Sequence, residues 1–144
     1  MKRFSQVICL LLILSIILVN PVFATENTTR ESGYFGSRLA YLYPTSGSQF
    51  QVWIEVVSTS TMDKLGASSI TVQCSSDNAN WSDVGTYTMS SYTNLIRSKT
   101  THHEAYVTCT GTSGYYYRAE VTFYAKKGNG TAEYDYTTES IRLS

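Results

Sequence analysis

Past residue 36 the chain alternates. Gln49 to Val57 sets Phe50, Val52, Ile54 and Val56 on one side and Gln51, Trp53 and Glu55 on the other. Such a two-residue period is that of a strand with one wet face. It returns in Ser69 to Ser75, with Ile70, Val72 and Cys74 inward, and in Glu104 to Thr110, with Ala105, Val107 and Cys109 aligned. Tyr115 to Ala125 is the strongest instance, with Tyr115, Tyr117, Ala119, Val121 and Phe123 inward and Tyr116, Arg118, Glu120, Thr122 and Tyr124 outward. Ser37 to Tyr43 aligns Leu39, Tyr41 and Tyr43, which are taken as its inward set. A strand is also expected around Asn94 to Lys99.

Turn chemistry separates these runs. Pro44-Thr45-Ser46-Gly47, Asp77-Asn78-Ala79-Asn80, Gly111-Thr112-Ser113-Gly114 and Lys126 to Gly130 all carry residues that favour tight reversals. Trp81 to Met89 and Thr131 to Thr138 then return as partner strands. No stretch after the first 24 residues shows a helical period. Seven or eight strands in a little over 100 residues predict an all-β, two-sheet antiparallel sandwich.

The first 24 residues have another character. Met1-Lys2-Arg3 is basic, Val7 to Val19 is apolar except for Ser15, and Asn20-Pro21 leads to Val22-Phe23-Ala24. This is the layout of a secretory signal, too short in its apolar run to span a bilayer. The expected organisation is therefore a signal peptide at 1–24, a flexible leader at 25–36 and one sandwich domain at 37–144. The expected location is secreted or extracellular, with no membrane span after cleavage.

Charge narrows the partners. The whole chain carries 11 basic and 11 acidic side chains, and loss of Lys2 and Arg3 with the signal peptide leaves a net charge of −2. A faintly acidic chain without a basic run argues against nucleic acid. Two cysteines remain beyond the leader, Cys74 and Cys109. Both fall on inward faces, and an even count in an exported protein predicts a disulfide between them, the alternative being two buried free thiols. Closing that loop of about 35 residues is worth roughly 3–4 kcal/mol on the chain-entropy estimate.

Gly111 to Gly130, GTSGYYYRAEVTFYAKKGNG, resembles the penultimate strand and last hairpin of fibronectin type III domains. In that resemblance Tyr115 or Tyr117 anchors the turn as a tyrosine corner. A wider likeness links Ser37-Arg38-Leu39-Ala40, the Trp-containing hairpin Ile70 to Val84, the Tyr-Arg-x-x-x-Thr strand Tyr117 to Thr122 and the terminal hairpin. Together they resemble small secreted Gram-positive bacterial proteins of a family of unknown function. The resemblance implies export and an immunoglobulin-like architecture, and it brings no catalytic residues.

Chemistry-bearing groups are few. His102-His103-Glu104 is the one cluster with metal character, but adjacent strand residues face opposite ways and no third ligand is legible. The histidines are read as exposed loop residues, and no metal or cofactor is expected. No nucleophile motif accompanies them. Asp77, Asn78, Asn80 and Asp83 do not match the spacing of a calcium loop and read as a hairpin turn. Arg118 and Glu120 are expected opposite Glu133 and Asp135 as surface charge pairs.

The aromatics remain. Trp53, Tyr106, Tyr116 and Tyr124 are predicted to point away from the core, where rigid rings with polar edges can stack on sugars or anchor an interface. Cross-strand pairing is the plainer role for such rings. The function expected is a non-enzymatic extracellular binding or interaction module whose partner is a protein or a glycan. The alternatives are a bacteriocin-like antagonist and, behind it, a small hydrolase using His102 or His103.

Overall fold

Alternation produces strands here, and one of them organises all the others. The computed structural model describes residues 33–144; the expected signal peptide and most of the leader lie outside the described residues. Seven strands follow: β1 (Phe35–Pro44), β2 (Gln49–Ser75), β3 (Ser82–Thr88), β4 (Ile96–Thr110), β5 (Tyr116–Lys127), β6 (Gly130–Thr137) and β7 (Ile141–Arg142). A 3-10 turn, Thr93–Leu95, precedes β4. The protein is all-β and antiparallel.

The two strands expected at 49–57 and 69–75 are the ends of one 27-residue strand. Its first half pairs with β1 on one side and β4 on the other, β4 continuing along it to Gly66, and its second half pairs with β3 and β5. Beyond β5 the sheet continues to β6 and β7. The expected two-sheet sandwich is therefore replaced by one seven-stranded sheet, curled as a half-barrel about β2. The physical reason lies in residues 58–68, whose Ser, Thr and Gly content reads as a connection. Here they remain extended, and from Lys64 to Gly66 β4 and β5 supply backbone partners to both edges.

Irregularities let so long a strand curl. Between Val57 and Met62 five steps of β2 oppose only two of β4, from His102 to Thr100. Such bulges bend a strand and re-aim side chains. Gly66 follows, at φ +152° with β4 on one side and β5 on the other. A Cβ there would strike the Leu95 carbonyl oxygen and lie 3.1 Å from the His103 ring, so a side chain is excluded at this closest approach.

The inward residues of both halves form one core. Phe50, Val52, Ile54, Val56, Met62, Leu65, Ile70 and Val72 of β2 are essentially solvent-free, as are Ala119, Val121 and Phe123 of β5. At about 25 cal/mol per Å² of apolar surface, this core is the main stabilising term. Tyr117 packs its ring 4.9 Å from that of Phe50 and accepts a 2.7 Å hydrogen bond from the Thr112 N–H. Tyr117, not Tyr115, thus anchors the turn; Tyr115 is exposed ahead of β5.

Two other expectations are corrected and a third is refined. In β1 the buried residues are Phe35, Ala40 and Leu42, while Leu39, Tyr41 and Tyr43 are exposed. Both faces of β1 are apolar, and the register decides: Ala40 pairs with Ile54 and Leu42 with Val52, the inward set of β2. The strand expected around Asn94 to Lys99 is present from Ile96 onward as the start of β4, with a 3-10 turn at Thr93–Leu95 before it. Arg118 does not meet Glu133 or Asp135; its Nε donates to Gln73 Oε1 at 2.7 Å and its guanidinium lies over the Trp81 ring.

The predicted disulfide is absent. Cys74 and Cys109 are free thiols. Each stands opposite a large aromatic instead, Cys74 across from Tyr117 and Cys109 across from Phe50. The Cys109 sulfur lies 3.4 Å from the Tyr87 hydroxyl, and burial pushes the pKa values of both groups up. No helix among the described residues is long and apolar enough to cross a membrane.

Candidate functional site

The outer face of β1, β2 and the second half of β4 carries Tyr41, Tyr43 and Tyr106, all exposed, and the half-buried Trp53. Register brings three rings into one row: Tyr41 opposite Trp53, and Trp53 opposite Tyr106. Directly opposed residues of an antiparallel pair share a face. Trp53 and Tyr106 stack, with ring centroids 4.7 Å apart and planes at 30°. The indole N–H donates to Gln51 Oε1 at 2.9 Å, which fixes the Trp53 ring plane.

The 3-10 turn closes over the β4 end of this row. Asn94 Nδ2 donates to the Tyr106 carbonyl at 3.1 Å, tying the turn to β4. Between turn and sheet runs a groove of about 510 Å³, bounded by Trp53, Tyr106, Asn94, Ile96, Arg97 and Glu104. Its size is within the range that accommodates small ligands, and it joins an aromatic wall to amide, guanidinium and carboxylate groups. Tyr106 remains exposed despite the stack.

Next to the aromatic row lies a charged cluster. Glu55 stands directly opposite Glu104, and His102 shares their face one pleat along β4. The His102 Nε2 atom lies 3.2 Å from Glu55 Oε1 and 3.5 Å from Glu104 Oε1. Thr100 holds this stretch of backbone, its hydroxyl donating to the His102 carbonyl and accepting from the His102 N–H.

His103 points the other way. It is buried at 8% exposure, and its Nε2 lies 2.8 Å from the Asn94 carbonyl oxygen. A carbonyl only accepts, so Nε2 carries the proton and Nδ1 is the bare nitrogen. That Nδ1 is buried without a partner. Burial, the largest influence, lowers the His103 pKa; the Asn94 contact opposes it in part.

Of the four predicted binding aromatics, the structure brings two together. Trp53 and Tyr106 share the groove. Tyr116 lies at the far end of β5, paired with Ser75 and Arg142, whose guanidinium is 5.6 Å from its ring. Tyr124 lies across Gly66 from Ile96 and outside the groove lining. Sequence reasoning missed Tyr41, Asn94, Arg97 and Glu55. Glu55 was visible as the same-face neighbour of Trp53, but its pairing with Glu104 exists only in the register.

The Asp77 turn is a turn. Asp77 Oδ1 accepts from the Ala79 and Asn80 N–H groups at 2.9 and 2.8 Å and from the Ser75 hydroxyl at 2.8 Å, and Oδ2 accepts from the Asn80 amide. These donors, the Asn80 N–H foremost, hold the carboxyl well below the usual carboxylate range. Comparison with family models, with curated proteins and with solved structures returns no match.

Proposed function

We propose that this chain is a non-enzymatic, extracellular binding module that takes a saccharide in the groove beside Tyr106. The observation that carries the reading is the in-register Trp53–Tyr106 stack forming one wall of a groove that also presents Asn94, Arg97 and Glu104. A sugar ring offers an apolar C–H face to an aromatic ring and hydroxyls to the groups around it. Asn94, Arg97 and Glu104 supply amide, guanidinium and carboxylate partners for those hydroxyls. Fixing the indole plane through Gln51 lowers the ordering cost of binding. Export, inferred from the leader, would place the module among cell-surface polysaccharides.

The test is retention on insoluble cell-wall polysaccharide and affinity for its soluble fragments. Trp53→Ala and Tyr106→Ala are expected to lose about 5- to 10-fold or more, the effect of removing an anchor worth over 1 kcal/mol. Tyr116→Ala and Tyr124→Ala, outside the groove, are expected to bind as the parent does. Equal binding by all four variants, or no retention of the parent protein, would refute the assignment.

A further inference from the structure

We propose that Glu55, His102 and Glu104 form a binding site for a divalent transition-metal ion, with zinc the best fit. Zinc bonds of about 2.0–2.2 Å to imidazole and carboxylate place tetrahedral ligand atoms about 3.3–3.5 Å apart. The His102 Nε2 atom stands 3.2 and 3.5 Å from the two carboxylate oxygens, close to that edge length. All three ligand atoms lie within 4.8 Å of one another. Three protein ligands leave a fourth position for water or a ligand's oxygen.

The register of the same two carboxylates favours a cation between them. Glu55 and Glu104 are like charges placed directly across an antiparallel pair, an arrangement that destabilises a sheet. A cation between them reverses the sign of that interaction. The His102 side chain is brought to the pair by the regular register that sets His102 opposite Val57, one same-face step from Glu104, and the Thr100 hydroxyl holds its backbone. One imidazole nitrogen with two carboxylates suits zinc and its neighbours; calcium and magnesium favour all-oxygen sets.

The two adjacent histidines play different parts in this site. His103 faces inward and cannot contribute, so the ligand that completes the set comes from β2. The cluster lies one same-face step along each strand from the Trp53–Tyr106 pair, about 7 Å away, and Glu104 also bounds the groove. The metal site stands without the saccharide reading, since its test contains no sugar.

Calorimetric titration of the tag-free protein with zinc chloride is the experiment. One ion per chain is expected, with the heat unchanged by excess calcium. Glu55→Gln, His102→Gln and Glu104→Gln should each weaken binding at least about 10-fold, since even the loss of a ligand's outer partner costs that much. Glu120→Gln, on β5, should bind as the parent does. All three ligands are at least partly exposed, so the variants fold, and circular dichroism checks this. Absence of zinc binding by the parent, undiminished binding by the three variants, or displacement by calcium would each overturn the site.

Discussion

His102 and His103 are adjacent in sequence and opposite in circumstance. Strand parity sends the first to solvent beside two carboxylates and the second into the core beneath Gly66 and Asn94. Protonating His103 would place a charge on a buried Nδ1 that has no acceptor. Its pKa in the folded protein is lowered, so the unfolded chain takes up that proton more readily. The stabilisation is complete above about pH 6.5, the ordinary value in the unfolded state. It is lost as pH falls toward and through the lowered folded value. Urea midpoints measured between pH 7.5 and 4.5 should therefore drop, and His103→Gln should flatten that part of the profile. An acid limb of the same steepness in the variant would show that another group is responsible.

At the scale of the element, β2 is the part that reasoning from pattern divided in two. The alternation at Gln49 to Val57 and at Ser69 to Ser75 was legible, and so were the inward faces of β4 and β5, because each has one apolar and one mixed side. β1 was not legible in the same way. Leu39, Tyr41 and Tyr43 outweigh Ala40 and Leu42 in bulk, yet pairing with Val52 and Ile54 turns the smaller set inward. The central stretch of β2 escaped notice because its irregular spacing comes from the bulge, which only the partner strand reveals. Gly66 is the critical point of that stretch. Gly66→Ala adds a methyl that collides with the Leu95 carbonyl at a φ few other residues adopt. It is expected to cost about 2–4 kcal/mol, combining strain and overpacking. Equilibrium unfolding in urea measures this, and a loss within experimental error would mean that Leu95 and its turn shift freely.

The whole molecule hangs on β2. Because that strand lends its first half to β1 and β4 and its second half to β3 and β5, neither half of the sheet has a core of its own. Phe50, near one end, packs on Tyr117 of β5, the strand that runs beside the other end. Unfolding should accordingly be one cooperative transition. Far-ultraviolet circular dichroism and near-ultraviolet signals from the tyrosines are expected to change together with urea, and two separated transitions would contradict a shared core. The same unity explains why no bridge between Cys74 and Cys109 is needed to join the halves; the backbone of β2 already does so.

The sequence by itself determined that the chain is β, where most strands run, which side of β2, β4 and β5 is dry, and that Trp53 and Tyr106 face outward. These follow from period, turn residues and side-chain size, all of which act between near neighbours. Tertiary structure alone decided that β2 is continuous, that β1 turns its smaller side chains inward, that the thiols stay apart, and that Glu55 meets His102 and Glu104. Each of those outcomes depends on register between strands far apart in sequence, and a shift of one residue would send every side chain of a strand to the opposite face.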